Sequence, residues 1–207
     1  SIDGESPQTV NHGESGTQIL VVPNAGYHFV QWSDGITENP RTDTNVTENI
    51  SVTAEFAINI YTLTYDSGEN GTLDGDVSQT VQYGEDGTPV TAVPNVGYHF
   101  LQWSDEETDN PRTDLNVISD IEVTAEFAIN TYTLTYTSDE NGTITGSSEQ
   151  VVNYGEDGTE VLAAANSGYH FVKWSDDITN NPRTDLNVTA DVNVTAVFTE
   201  NTHALTL

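Results

Sequence analysis

The stretch "GYHFVQWSDG" occupies residues 26–35, and near copies of it recur as "GYHFLQWSDE" and "GYHFVKWSDD". The tryptophans Trp32, Trp103 and Trp174 are evenly spaced, since 103 − 32 and 174 − 103 both equal 71, and the arginines keep the same step. Self-similarity at a fixed period indicates a tandem array. We therefore expect three repeats where length alone would suggest one or two domains.

The period can be placed in two ways. If a repeat starts at "YTLTY", the repeats are 1–59, which lacks its first strand, 60–130 and 131–201, and residues 202–207 begin a further repeat. If it starts after the "GENG" loop, the repeats are 1–65, 72–136 and 143–207. A unit of about 70 residues is near the lower size limit for an unassisted core. Because the chain has no cysteine, each unit depends on its own core, its neighbours or bound metal.

The hydrophobic pattern is that of β-strands. In "IEVTAEF", residues 121–127, apolar and polar side chains alternate, and "YTLTY" repeats the alternation. Period two with β-branched and aromatic residues predicts half-buried strands. The strands are separated by "GENG", "YGEDG" and "WSDEETDNP", which are rich in turn residues. We expect four or five short, mostly antiparallel strands in each repeat, with at most one short helix.

The central strand departs from simple alternation. In "YHFLQW", Tyr98 and Phe100 would face one way, and Leu101 and Trp103 the other, so both faces are apolar. The sequence predicts either a strand covered on both sides or a β-bulge near Gln102 that turns Trp103 inward.

The charge restricts the classes of partner. The chain has 33 acidic and 4 basic residues, for a net charge of −29. This balance opposes binding to nucleic acid, which needs lysine and arginine to neutralise phosphate, and to anionic membranes. No apolar run approaches the length of a membrane span, so we expect no membrane insertion of this chain. Because the chain starts in mid-repeat, we expect it to be a fragment of a longer protein.

The order of the segments resembles a known family. In the second repeat the matching positions are Tyr61, Leu63, Gln79, Val81, Tyr83, Gly84, Gly97, Tyr98, Phe100, Trp103, Val123, Ala125 and Phe127. Their order and spacing resemble the internalin B-repeat family, especially its divergent branch in bacterial surface proteins. The resemblance implies a small β-grasp-like unit, used in arrays on secreted or surface-anchored proteins as a spacer or adhesion module. One departure is Gln31, Gln102 or Lys173 before the tryptophan, where the family usually has glycine.

The aromatic residues of the repeated stretch have two interpretations. They could form a sugar-binding platform, or they could be the core of a unit with little else to bury. Burial of one large aromatic side chain stabilises a domain by roughly 3 kcal/mol, so we favour the core. The predicted core residues are Tyr27, Phe29, Trp32, Tyr98, Phe100, Trp103, Tyr169, Phe171 and Trp174. The histidines at 28, 99 and 170 are expected at the rim of a strand.

The motif "NPRTD" places Arg41, Arg112 and Arg183 in the long loop after each tryptophan. We expect each arginine to pin its loop through a local ion pair. The alternative is recognition of a carboxylate on a partner or on the next repeat.

The same loop could bind Ca²⁺, with Asp105, Asp109 and Asp114 as candidate ligands, because calcium takes six to eight oxygen ligands. The alternative, which we favour, is a solvated acidic surface. No other cofactor is expected.

These features favour a non-catalytic protein, since no nucleophile and base can be assigned from the spacing. We expect an elongated acidic rod of three β-rich repeats that contact one another, from an extracellular or surface-anchored bacterial protein. Its predicted role is a stalk that projects a terminal domain. The alternative is a multivalent glycan- or protein-binding array, stiffened by Ca²⁺. If repeats start at "YTLTY", the tail "THALTL" of another molecule could pair head to tail with the open edge of the first repeat.

Overall fold

A computed structural model describes residues 1–206 of the chain. Within those residues the structure is all-β and contains no helix, which confirms the predicted class. The strands are β1 (Ile2–Asp3), β2 (Leu20–Val21), β3 (Tyr27–Trp32), β4 (Ala54–Ile58), β5 (Ile60–Ser67), β6 (Gly71–Gly75), β7 (Ser78–Gln82), β8 (Val90–Pro94), β9 (Tyr98–Trp103), β10 (Ile121–Ile129), β11 (Thr131–Ser138), β12 (Gly142–Thr145), β13 (Glu149–Asn153), β14 (Leu162–Ala165), β15 (Tyr169–Trp174) and β16 (Val192–Glu200).

The chain packs as two compact units. The first contains Ser1–Asp66, Leu73–Ala92 and Glu107–Thr124, and the second contains Ser67–Thr72, Val93–Glu106 and the chain from Ala125 onward. The first repeat therefore lies in one unit and the third in the other, while the middle repeat contributes to both.

The third repeat has a four-stranded sheet in the order β13-β11-β16-β15, together with the β12–β14 pair. β11 is antiparallel to β13, with Leu134 opposite Gln150, and parallel to β16, with Leu134 beside Val192. β15 closes the other edge as the antiparallel partner of β16. The middle repeat has the same order, β7-β5-β10-β9, with β6–β8 beside it. Each four-stranded sheet takes its strands from one period that starts at "YTLTY".

The core of the third repeat is built from the inward side of these strands. Alternate residues of β11 and β16 point into it, so the threonines between them lie on the opposite face, where they are exposed or half-buried. The buried residues are Leu134, Tyr136, Val161, Ala163, Trp174, Val188, Val194, Ala196 and Phe198.

A β-bulge interrupts the strand that carries the tryptophan. In β15 the register with β16 shifts between Phe171 and Lys173, which leaves Val172 as an extra residue that is 40% exposed. The bulge brings Phe171 and Trp174 to the same face, where their ring centroids lie 5.7 Å apart. The corresponding shift in the middle repeat falls at Leu101, which confirms the bulge predicted there.

The first repeat has fewer strands. Its described pairs are β1–β2 and β3–β4, and β4 has five residues where β10 and β16 have nine. The positions that correspond to β5 and β11 would precede residue 1. The last strand of the first repeat therefore has no parallel partner in the described chain.

Candidate functional site: the buried arginine centre

The "NPRTD" loop is tied to the sheet by its main chain. The Arg183 N–H donates to the Val161 carbonyl (2.8 Å), and the Val161 N–H donates back to Arg183 (2.9 Å). The Asn181 amide extends this pairing, because its Oδ1 accepts from the Ala163 N–H (2.9 Å) and its Nδ2 donates to the Ala163 carbonyl (2.8 Å). The loop therefore pairs with the sheet like a short additional strand. This pairing positions the backbone of Arg183, from which the side chain extends.

The guanidinium group lies between two carboxylates. Arg183 is 3% exposed, its Nε and Nη2 donate to the two oxygens of Asp185 (2.8 and 2.6 Å), and its Nη1 donates to Asp176 (2.9 Å). In the first repeat, Arg41 is 4% exposed and bonds Asp43 and Asp34 in the same way. The two-point pairing is the strongest arrangement of arginine with a carboxylate.

Aromatic rings complete the centre. The Arg183 Cζ lies 5.5 Å from the Trp174 ring centroid and 6.0 Å from that of Tyr136, within the range of cation–π attraction. The Tyr136 hydroxyl donates to Asp185 (2.7 Å), and Trp174 Nε1 donates to the Asn180 carbonyl (3.0 Å). We call Arg183, Asp176, Asp185, Tyr136 and Trp174 the arginine centre of the third repeat. It joins β11, β15 and the loop.

The protonation states of the centre are strongly fixed. Burial alone would raise the pKa of Asp185, but hydrogen bonds from Arg183 and Tyr136 hold that pKa below its usual range. Burial, and then the bond to Asp185, raise the pKa of the Tyr136 phenol well above its ordinary value. Burial would lower the pKa of Arg183, but its two carboxylate partners raise it. Groups held in one charge state serve structure better than proton transfer.

The middle repeat repeats the pairing. Arg112 is 6% exposed and its Nη2 donates to Asp114 (2.7 Å), which also accepts from the Tyr65 hydroxyl (2.7 Å). Asp114, one of the calcium candidates, is therefore engaged by an arginine and a tyrosine. Asp105 and Asp109 also have interaction partners. Across residues 1–206 no group of three or more histidine or carboxylate side chains is placed to hold a metal ion, and calcium binding stays a prediction.

The aromatic residues differ in burial. Trp103 and Trp174 are fully buried and Trp32 is 4% exposed. The phenylalanines at 29, 100 and 171 and the tyrosines at 98 and 169 are half-buried. Tyr27, in contrast, is 46% exposed, so it is a surface residue rather than the core residue that the sequence predicts. In the first repeat the β3–β4 pair forms a sheet of two strands where the other repeats have four, and Tyr27 borders a shallow recess with Phe56.

Each histidine of the repeated stretch is exposed and bonded to the asparagine that ends its repeat. The Nδ1 atoms of His28, His99 and His170 lie 2.8 Å from the Oδ1 atoms of Asn59, Asn130 and Asn201, respectively. These residues lie at the junctions between repeats.

Neighbouring repeats contact each other through a tyrosine and a glycine. The Tyr83 ring covers Gly26, where a Cβ would lie 2.3 Å from the ring, and the Tyr83 N–H donates to the Asn59 carbonyl (2.9 Å). Tyr154 covers Gly97 in the same way, at 2.4 Å. We call this the junction contact. The sequence did not predict this contact, although both residue types belong to the matched pattern.

A buried glutamine in the third repeat was also not predicted from the sequence. Gln150 is 9% exposed, its Nε2 donates to the Ser147 and Thr159 carbonyls (both 3.0 Å), and its Oε1 accepts from the Thr159 N–H (2.6 Å). Gln150 lies in the segment "EQVVNYGEDGT", but the composition of that segment does not distinguish a buried glutamine from one at the surface.

The fold and the site together define a tandem array of small β-modules, each organised around an arginine centre. The divergent InlB B-repeat domain matches residues 1–60, 61–131 and 132–202. The chain belongs to this family, which confirms the resemblance and the three repeats.

Two other comparisons add context. A protein named "Putative membrane protein" from Evansella cellulosilytica is 28% identical over 135 residues, which cover 64% of this chain and 19% of that protein. This chain thus spans about a fifth of that relative. The Streptococcal High Identity Repeats in Tandem (SHIRT) domains 3–4 from a cell surface protein align over 67% of this chain and 96% of theirs, at 16% identity. Their TM-score of 0.24 is too low to support an argument.

In the described part of this chain, no helix has the length and apolar character needed to cross a membrane.

Proposed function

We propose that the chain is a non-catalytic, load-bearing spacer on a bacterial cell surface, which holds a terminal functional domain away from the cell. The observation that carries the proposal is the parallel pairing of the first and last strands of a repeat. Tension applied along the array enters the third repeat at the start of β11 and leaves it at the end of β16.

This geometry resists tension. Because β11 and β16 are parallel neighbours over Leu134–Ser138, a pull on their outer ends slides one strand along the other. The interstrand hydrogen bonds are then loaded together, instead of breaking one after another as when a hairpin is pulled open. The junction between repeats is short, since β4 ends at Ile58 and β5 starts at Ile60. The connection can therefore extend very little before the tension reaches the strands.

The burial of the tryptophans favours the spacer over a glycan platform. A sugar-stacking tryptophan needs an exposed face, whereas Trp103 and Trp174 are fully buried. Membership of the divergent InlB B-repeat family and the name of the Evansella relative support a location at the cell envelope. The high negative charge suits an extended array that stays soluble and does not self-associate readily.

Single-molecule force spectroscopy tests the proposal. The chain has no cysteine, so cysteines introduced in pairs give unique attachment points. Pulling through the two ends of the chain loads β11 and β16 in shear. Pulling through cysteines at 131 and 153, which face each other across β11 and β13, opens that pair as a hairpin.

We expect the third repeat to unfold at clearly higher force in the shear direction than in the hairpin direction. Each complete repeat should release about 250 Å of chain, from about 3.5 Å for each of its residues. Equal forces in the two directions would contradict a load-bearing role.

A further inference from the structure

The dipeptide Asn–Gly occurs at Asn70–Gly71 and at Asn141–Gly142, each time within the segment "ENGT". The first of these turns joins β5 to β6, and the second joins β11 to β12. An asparagine that precedes glycine can react with its own backbone, because glycine has no Cβ to keep its nitrogen away from the asparagine side chain. The two turns therefore present the same reactive pair in two structural settings.

Side chains hold the turn of the third repeat in place. Asp139 Oδ1 accepts from the Asn141 N–H (2.8 Å). The Ser138 hydroxyl donates to the Gly142 carbonyl (3.0 Å), and the Asn166 side chain donates to the carbonyl of the residue before Asn141 (3.0 Å). Gly142 itself is buried. The reactive pair of this turn is thus fixed by three hydrogen bonds from side chains.

The turn of the middle repeat has a different conformation. Gly68 stands where the third repeat has Asp139, so no side chain is there to accept from the asparagine N–H. An aspartate that accepts from the backbone two residues further on stabilises one form of a turn, and without it the turn is free to adopt another. Asn70 has a φ of +71°, in the left-handed region that L residues rarely adopt, whereas the φ of Asn141 is not positive.

The other two restraints are also absent from the middle turn. Across residues 1–206, the serine and asparagine at the corresponding positions, Ser67 and Asn95, donate no side-chain hydrogen bond to it. Gly71 is half-buried, where its counterpart in the third repeat is buried. The Gly71 nitrogen is therefore held by fewer bonds and is more open to water.

We propose that Asn70–Gly71 is a site of spontaneous deamidation in the folded chain, and that Asn141–Gly142 is protected. The Gly71 nitrogen attacks the side-chain carbonyl carbon of Asn70 and forms a C–N bond, and the amide group leaves as ammonia with the proton of the attacking nitrogen. Water then adds to one of the two carbonyl groups of the resulting succinimide and opens the ring, which gives aspartate or isoaspartate. Water is the only other reactant. This inference goes beyond the spacer role and does not depend on it.

The reaction changes both the charge and the backbone of the middle repeat. Either product replaces a neutral amide by a carboxylate, in a chain that already has a net charge of −29. Isoaspartate also lengthens the main chain by one carbon atom immediately before Gly71. Because a Cβ built at Gly71 would overlap the Phe127 ring, Gly71 has no room to shift toward that ring. The packing of the middle repeat must therefore change, while that of the third repeat stays intact.

Peptide mapping of the full chain, after incubation of the folded protein in mildly alkaline buffer, tests the proposal. Trypsin cleaves after lysine and arginine, so a digest places Asn70 in the peptide 42–112 and Asn141 in the peptide 113–173. Mass spectrometry detects the mass increase of deamidation, and fragmentation of each peptide locates it. We expect Asn70 to react faster than Asn141 by about tenfold or more, because the turn of the third repeat must first break its additional hydrogen bonds.

The same chain in urea supplies the reference. Since both sites have the sequence "ENGT", the unfolded chain should deamidate at similar rates at both, and a difference in the folded chain is then due to structure. Two reciprocal variants exchange the residue that distinguishes the turns. Gly68→Asp should slow the reaction of Asn70, and Asp139→Gly should accelerate that of Asn141.

Equal rates at the two sites of the folded chain would overturn the proposal. An unmodified Asn70 in the folded protein, over a time in which the unfolded chain reacts, would overturn it as well. So would reciprocal variants that leave both rates unchanged, since the turn would then not be what selects the site.

Discussion

Arg183 is the residue on which the loop, β11 and β15 of the third repeat converge. It is 3% exposed and shared between Asp185 and Asp176, with Trp174 and Tyr136 against its face. Removing one member of a buried ion pair costs more than the pair itself contributes, because the remaining charge stays buried without its partner.

We therefore expect Arg183→Met to lower the free energy of unfolding by about 3 kcal/mol or more. Urea denaturation followed by tryptophan emission measures the change, since Trp174 lies beside the guanidinium group. The control is Lys173→Met, which removes an exposed ion pair with Asp177 and should cost less than about 1 kcal/mol. Equal effects of the two variants would mean that the arginine centre stabilises no more than a surface pair.

The lowered pKa of Asp185 predicts how this stabilisation depends on pH. Its pKa in the folded state lies below the unfolded value of about 3.9, so the stability it contributes is present above that value and is lost as pH falls through the folded pKa. Protonation of other carboxylates also relieves repulsion in acid, so the comparison needs a reference variant. The stability difference between the chain and Asp185→Asn should shrink as pH is lowered from about 6 to about 2. A difference that stays constant would contradict the assignment.

The junction glycines offer a matched pair of substitutions. Gly97 and Gly168 both have positive φ, +86° and +91°, so alanine is strained at either, by about 1 kcal/mol. Only Gly97 also has a tyrosine ring where the new Cβ would lie. We expect Gly97→Ala to cost at least 1 kcal/mol more than Gly168→Ala in thermal denaturation, in line with the cost of overpacking. Similar costs would show that the ring moves aside freely.

The sequence predicts part of the arginine centre. An ion pair in the "NPRTD" loop could be expected, because Arg41 and Arg112 are the only lysine or arginine side chains of their repeats. Its burial could not, since in the third repeat the tyrosine that contacts Asp185 is 49 residues away in sequence. A short-range pattern contains no information about a contact at that distance.

At the scale of the element, β11 is the central strand on which the sheet of the third repeat depends. It pairs with β13 on one side and β16 on the other, and it supplies Leu134 and Tyr136 to the core. A strand paired on both sides contributes both its hydrogen bonds and its inward side chains to the repeat.

We expect Leu134→Ala to destabilise the chain by about 2–5 kcal/mol, because Leu134 is fully buried and alanine would leave a cavity. The matched control is Val151→Ala in the adjacent β13, where the side chain is 69% exposed and the cost should be below about 1 kcal/mol. Both are measured by thermal denaturation followed by circular dichroism. A small effect at Leu134 would mean that β11 is not a core strand.

The alternation of apolar residues predicts where strands occur. The two apolar faces of "YHFLQW" allow either a strand covered on both sides or a bulge, and the structure has the bulge. The direction of pairing was less accessible. The expected mostly antiparallel arrangement is confirmed, because β11–β13, β12–β14 and β15–β16 are antiparallel. The parallel pair β11–β16 could not be predicted, since alternation determines which face is buried and not which neighbour the strand joins. Tyr27 was misassigned for a related reason. Its counterparts in the complete repeats, Tyr98 and Tyr169, are half-buried, and the prediction assigns the same core to all three repeats although the first lacks its first strand when repeats start at "YTLTY".

For the whole molecule, the proposed function makes one claim, that the repeats form an extended spacer. The family match and the three repeated sequences support an array, and its extension is what the proposed function requires. The acidic loops bear on the same claim. If they bound Ca²⁺, the ion would reduce repulsion at a net charge of −29 and would stiffen the array.

Small-angle X-ray scattering of the chain, under conditions where it is a monomer, tests this claim most directly. A compact protein of 207 residues would have a radius of gyration of about 17 Å. We predict a clearly larger value and a distance distribution with a long tail, the same in EDTA and in excess Ca²⁺. A symmetric distribution with a radius near the compact value would contradict the spacer, and an array that extends only with Ca²⁺ would make the acidic loops part of the mechanism.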